Sequence, residues 1–149
     1  MKVTGNVETI LSRKGHQTWS VSPDDTVLAA ITLMAEKNIG ALPVMEGERL
    51  VGMFSERDYT RKVALKGRSS KDTKVREIMT STLATVTPHH SVDECLRLMT
   101  DRRVRHLPVL EGGRLVGLVS IGDLVNYVIS AQSAAIDHLE GYISGRYPG

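Results

Sequence analysis

The chain has 149 residues, 41% of them hydrophobic and 24% charged, with a net charge of +2. That length and balance suit a chain able to bury a real core, and they exclude long disorder. The slight charge, with only 4% aromatic residues, also speaks against nucleic-acid binding, which uses strongly basic surfaces and stacking rings.

In chain order, "MKVTGNVETILSRKGH" (1–16) lacks the apolar run of a signal peptide, and no stretch approaches membrane-spanning length. With Cys95 as the single cysteine, a reducing compartment follows, so the protein is expected to be cytoplasmic and free of membranes. "TWSVSP" predicts a short strand stopped by Pro23, which cannot donate to a ladder. Val27, Ala30, Ile31 and Met34 then recur at helical spacing. "ALPVM", a turn at Gly47 and "LVGMFS" predict a tight hairpin, and "ERDYTRKVALK" a closing helix. The polar "KGRSSKDTKVREIMTS" (66–81) is expected to be a linker, mobile at its Gly/Ser part, that ends in a helical "VREIM" echoing "VETIL" near the start.

The same order then repeats. "LATVTP" stops at Pro88, and Val92, Cys95, Leu96 and Met99 line a helix opened by the capping box Ser91-Val92-Asp93-Glu94, which the first copy lacks. "HLPVL", Gly112-Gly113, "LVGLVS" and "IGDLVNYVIS" complete the copy. The tail 131–149 predicts a continuing helix, with Ile136 and Leu139 spaced to pack on a neighbour, and then a Gly/Pro-rich end.

Val21 aligns on Val86, and the gapless match at an offset of 65 runs past Asp58 over Asp123. Roughly 17 of about 45 positions from Ser20 to Ala64 are identical, which marks a tandem duplication. A unit of this size, with two helices, covers one face of its small sheet, so two copies facing each other bury the other faces about a pseudo-two-fold axis. The expected fold is α/β (α+β), each copy β-α-β-β-α, with a lead-in at 1–16, a first copy at 17–65, a second at 82–130 and a tail at 131–149.

"VSPDDTV", "NIGALPV" and "LVGMFSERD", matched by "VTPHHSV", "RVRHLPV" and "LVGLVSIGD", resemble the cystathionine-β-synthase (CBS) domain, here as a tandem pair or Bateman module. "SERDYTRKVALKGRSS" is similar to stand-alone CBS-pair proteins of bacteria and plant mitochondria. The resemblance implies a non-enzymatic sensor that binds an adenosine-containing ligand (AMP, ADP, ATP, NAD(H) or S-adenosylmethionine) between the repeats. It further implies a homodimer, and a regulated partner protein, since no output domain lies in the chain.

The residues suit that chemistry. Ser55 and Ser120 stand where a strand yields to a helix, so their hydroxyls and the following N–H groups are placed to attract phosphate. Asp58 and Asp123, three residues on, can accept bonds from both hydroxyls of a ribose. Gly40 and Ala41, with Ser20 and Thr85 on the first strands, are candidates for an adenine slot. Leu42, Val44, Leu107 and Val109 read as core. By resemblance to the gamma subunit of AMP-activated kinase, bases at Arg105 and His106 reach phosphates across the repeats, with Arg103, Arg57 and Lys14 as further candidates. Arg57 has Gly122 as its counterpart, so the two sites are expected to be unequal. Trp19 either edges the first cleft or caps the core.

The histidines are not at metal-ligand spacing, the serines lack a nucleophile-elbow setting, and neither phosphate-loop nor dinucleotide-fold glycines occur, so neither metal nor catalysis is expected. The alternative function is a protein–protein interaction module whose nucleotide sites are vestigial.

Overall fold

The computed structural model describes residues 4–143. Its elements are α1 (Val7–Lys14), α2 (Val27–Lys37), β1 (Ala41–Glu46), β2 (Arg49–Ser55), α3 (Glu56–Asp58) running into a π-helical stretch (Tyr59–Ala64), α4 (Val75–Ile78), α5 (Val92–Arg102), β3 (His106–Glu111), β4 (Arg114–Ser120) and α6 (Ile121–Ile143). The duplication is visible to the level of defects. Each hairpin is antiparallel, and both ladders slip at the same place, between Val44 and Met45 and between Val109 and Leu110. Gly112 and Gly113 turn the second hairpin at φ 59° and 80°, a left-handed pair that side chains with a Cβ resist.

The strands expected from "TWSVSP" and "LATVTP" shrink to single parallel bridges, Val21 to Val44 and Val86 to Val109. Proline two residues on ends each ladder after one exchange of backbone bonds. The helix after β2 also departs from expectation, because its backbone widens to π geometry from Tyr59, whereas α6 runs on for 23 residues. Ile136 and Leu139 lie exposed on α6, and the Gly/Pro-rich end is outside the described residues.

The two cores are crossed. Val75 and Ile78 of α4, which precedes the second copy, pack with Val27, Met34, Leu42, Val44 and Phe54 of the first. Val7, Ile10 and Leu11 of α1 pack with Val92, Met99, Leu107 and Val119 of the second. The backbone follows the same rule: Val75 N donates to Asp25 O, and Val7 N donates to His90 O, both at 2.9 Å. Gly52 and Gly117 permit this docking, since a Cβ would stand 2.7 Å from the Met79 sulfur in one copy and 2.7 Å from Leu11 Cδ2 in the other. The Gly/Ser linker is hydrogen-bonded rather than loose. Ser70 O and Thr73 O accept from Leu28 N and Val27 N, which gives two orphan donors of the α2 N-terminus their partners.

Candidate functional site

A cleft of about 740 Å³ opens at the seam between the copies. The first copy supplies Gly40, Ala41, Met53, Ser55 and the run Glu56, Arg57, Asp58, Arg61 and Lys62. Arg103, Val104, Arg105, His106 and Pro108 close it from the second copy, and Thr80, Thr82, Leu83 and Ala84 line it on the way there. Five Arg and Lys side chains thus face two carboxylates, so the cleft attracts anions while its Ala, Val, Leu and Met walls can take a flat apolar ring.

Asp58 is 8% exposed and uses both oxygens. Its Oδ2 accepts from Ser55 N (3.0 Å) and Ser55 Oγ (3.1 Å), while Asp58 N donates to Ser55 Oγ (3.2 Å), closing a capping box. Its Oδ1 accepts from Thr80 Oγ1 (3.2 Å) and pairs with Lys62 Nζ (3.0 Å). Oδ2 is therefore committed to the fold, and Oδ1 alone can exchange partners for an entering sugar. Glu56 N donates to Gly40 O (3.0 Å), so the N–H groups of Ser55, Glu56 and Asp58 are already satisfied. Part of the anticipated phosphate cradle at Ser55 is thus answered within the chain, and likewise at Ser120, where Ile121 N donates to Arg105 O and Asp123 N to Ser120 Oγ.

Arg57 bridges the seam, donating from Nη1 to Arg103 O at 3.1 Å. Arg103 caps α5 in the left-handed region (φ 54°), which is unfavourable for a side chain with a Cβ and turns its carbonyl into the cation's reach. Its counterpart Asn38 (φ 53°) tolerates that conformation better. A Cβ at Gly40 would lie 3.4 Å from His106 Cε1, so the imidazole covers Gly40. Burial lowers the His106 pKa below its ordinary 6.5, helped by Lys14 and Arg105 and opposed by Asp123.

Of the candidates, Gly40, Ala41, Ser55, Arg57, Asp58, Arg103, Arg105 and His106 converge on this cleft. Ser20 and Thr85 are exposed outside its lining, where Thr82, Leu83 and Ala84 stand instead. Trp19 is also outside it, half-exposed beneath the Lys37 ammonium at 4.0 Å. Lys14, Ser120 and Asp123 gather elsewhere: Lys14 Nζ donates to Asp123 Oδ2 (2.7 Å) and Leu118 O (2.9 Å), and Ser120 N donates to Asp123 Oδ2 (2.8 Å). Sequence reasoning missed Lys62, Arg61, Thr80 and Thr82. Lys62 was findable, four residues after Asp58 on a helical face, whereas Thr80 arrives only through the crossed docking of α4.

The comparisons agree with this architecture. The CBS-domain family model matches residues 11–65 and 75–130. The chain belongs to the CBS-domain family. It is 44% identical over 141 residues, 91% of its length and 68% of the relative's, to the mitochondrial CBS domain-containing protein CBSX3 of Arabidopsis thaliana. Among solved structures it is similar to a candidate signal-transduction protein with CBS domains from Burkholderia ambifaria, at TM-score 0.82 and 53% identity, covering 85% of this chain and 96% of that one. It is also similar to a hexameric CBS-CP12 protein from bloom-forming cyanobacteria, at TM-score 0.73 and 29% identity, with 84% and 72% covered. The chain is a tandem pair of CBS domains.

Proposed function

We propose that this CBS pair is a regulatory sensor that binds an adenosine-containing ligand, AMP, ADP, ATP or NAD(H), in the cleft between its repeats and signals to a separate partner protein. What supports the reading is one arrangement: a buried carboxylate, Asp58, beside apolar walls and ringed by cations from both copies. The adenine ring lies against Ala41, Val104 and Pro108. The sugar hydroxyls take Oδ1 of Asp58 in place of Thr80 and Lys62, and the phosphates meet Arg57, Arg103, Arg105 and His106. A phosphate that draws Arg57 off Arg103 O releases a link between the copies, so the ligand favours one tilt of the repeats over another. Two chains pair through exposed apolar side chains such as Ile129, Ile136 and Leu139 of α6, in the cytoplasm; no helix among the described residues is long and apolar enough to cross a membrane.

One observation favours a second reading, an interaction module with vestigial sites: both oxygens of Asp58 already have partners within the chain. A thermal-shift panel of AMP, ADP, ATP and NAD(H) separates the two. The sensor is stabilised by about 2.7 kcal/mol when a ligand reaches roughly 100 times its Kd. A panel without any shift leaves the interaction module standing.

A further inference from the structure

The duplication has one length mismatch, and it falls at a seam. From Val7 to Val21 the chain takes 14 steps, but from Val75 to Val86 it takes 11. Val7 and Val75 start their helices on matching carbonyls, and Leu11 and Met79 press on matching glycines, so the surplus lies after the docked turn. In the shorter connection α4 stops at Ile78, and Thr80 exchanges backbone bonds with Met53 (2.9 and 2.8 Å) while its hydroxyl donates to Asp58. In the longer one α1 runs on to Lys14 before Gly15 ends it at φ 98°. Lys14 then reaches Leu118 O, the counterpart of Met53 O, and Asp123, the counterpart of Asp58, though on Oδ2, the oxygen that Ser120 N also uses, where Thr80 takes Oδ1.

We propose that Lys14 is a built-in occupant of the second seam, its ammonium lying on the Asp123 carboxylate where a ligand's sugar would approach, so that the intact chain presents one adenylate site instead of two. The inference rests on the sensor reading of the Asp58 cleft. The contact is of a kind a ligand can rival only weakly from solution, since the lysine is tethered and its effective concentration is high. The ammonium is also held by two acceptors, since the Leu118 carbonyl completes the pair with Asp123. At the first seam the cation on Asp58, Lys62, comes from the same helical run, and the cleft beside it measures about 740 Å³, against about 220 Å³ at Lys14 and Asp123.

Calorimetric titration with AMP tests it on the full chain, on Lys14→Ala, which removes both charge and length, and on Lys14→Met, which removes charge alone. Melting curves check that each variant remains folded, the expected result given that Val7, Ile10 and Leu11 still dock in the core. The expected result is one AMP per wild-type chain and a second for Lys14→Ala, with affinity at the new site rising by about fivefold or more over any trace binding there in the wild type. Asp123→Ala in the Lys14→Ala background removes that second site again. One AMP for both wild type and Lys14→Ala overturns the inference and leaves the sensor reading intact. So does a wild type that binds two and loses one in Lys14→Ala, since Lys14 then contacts the ligand. If no protein in the series binds AMP, both the inference and the AMP form of the sensor reading fall.

Discussion

The two carboxylates descend from one ancestral position, yet they live in different surroundings. Asp58 is buried, boxed by Ser55 and shared between Thr80 and Lys62 beside an open cationic cleft. Asp123 keeps the serine contact but spends Oδ2 on Lys14, brought in by the last turn of α1. Copying a sequence copies the local motif. It does not copy what the rest of the chain lays across it, and here three additional residues and an Arg-to-Gly difference accompany a cleft of about 740 Å³ at one seam and a pocket of about 220 Å³ beside an ion pair at the other.

The largest expected effect breaks the crossed docking on which both seams depend. Gly52→Ala and Gly117→Ala drive a methyl into Met79 and Leu11, and each should lose about 1–3 kcal/mol in urea unfolding. Gly52→Ala should be the worse, because Thr80 O also stands 3.1 Å away and backbone yields less readily than a side-chain end. Equal and negligible losses would show that α1 and α4 do not sit where we place them.

The carboxylates come next. Asp58→Ala removes a capping box and strands the Thr80 hydroxyl and Lys62, for a loss of about 1–2 kcal/mol. Asp123→Ala removes a cap and an exposed pair, for about 1 kcal/mol or less. Denaturant midpoints in the two variants test this order, and a larger loss at Asp123 would reverse the comparison.

The smallest effect is a pH slope at the centre of the seam. The unfolded chain protonates His106 near 6.5 and the folded chain does so only below that value. The unfolded state therefore binds more protons as pH falls through 6.5, and stability drops there until the folded imidazole also titrates. Urea midpoints from pH 8 to pH 5 should show this decline, and His106→Gln should flatten it. A phosphate beside His106 favours the charged ring, so adenylate binding below pH 6.5 should take up protons. Titrations in buffers of different ionisation heat measure that uptake.

Much of this was legible in the residues. The period of 65, the prolines that stop the first strands, and the recurring Ser and Asp gave the fold and most of one cleft, because each is a local or repeated signal. Cys95, placed by its spacing on the apolar line of its helix, is buried, and burial with nearby Glu94 pushes its thiol up to about 11. The crossed docking of α1 and α4 was hidden, since an amphipathic turn does not say which of two equivalent faces it covers. With it went Thr80, and also the role of Lys14, which reads as a spare cation until its distance to Asp123 is known. The partners of the amides at the serine junctions were hidden for a related reason: a strand-to-helix junction exposes donors in general, and only the folded chain shows Gly40, Arg105 and the two aspartates answering those of Ser55, Glu56, Ser120 and Ile121.

The most direct test of the Asp58 cleft is calorimetric titration of AMP into the wild-type chain and into Asp58→Asn, which keeps the shape of the side chain and removes its charge. The account predicts one AMP per wild-type chain and binding weaker by about tenfold or more in the variant, the loss of a charge-assisted pair of hydrogen bonds. Equal affinity in the two proteins, with both folded, would contradict it.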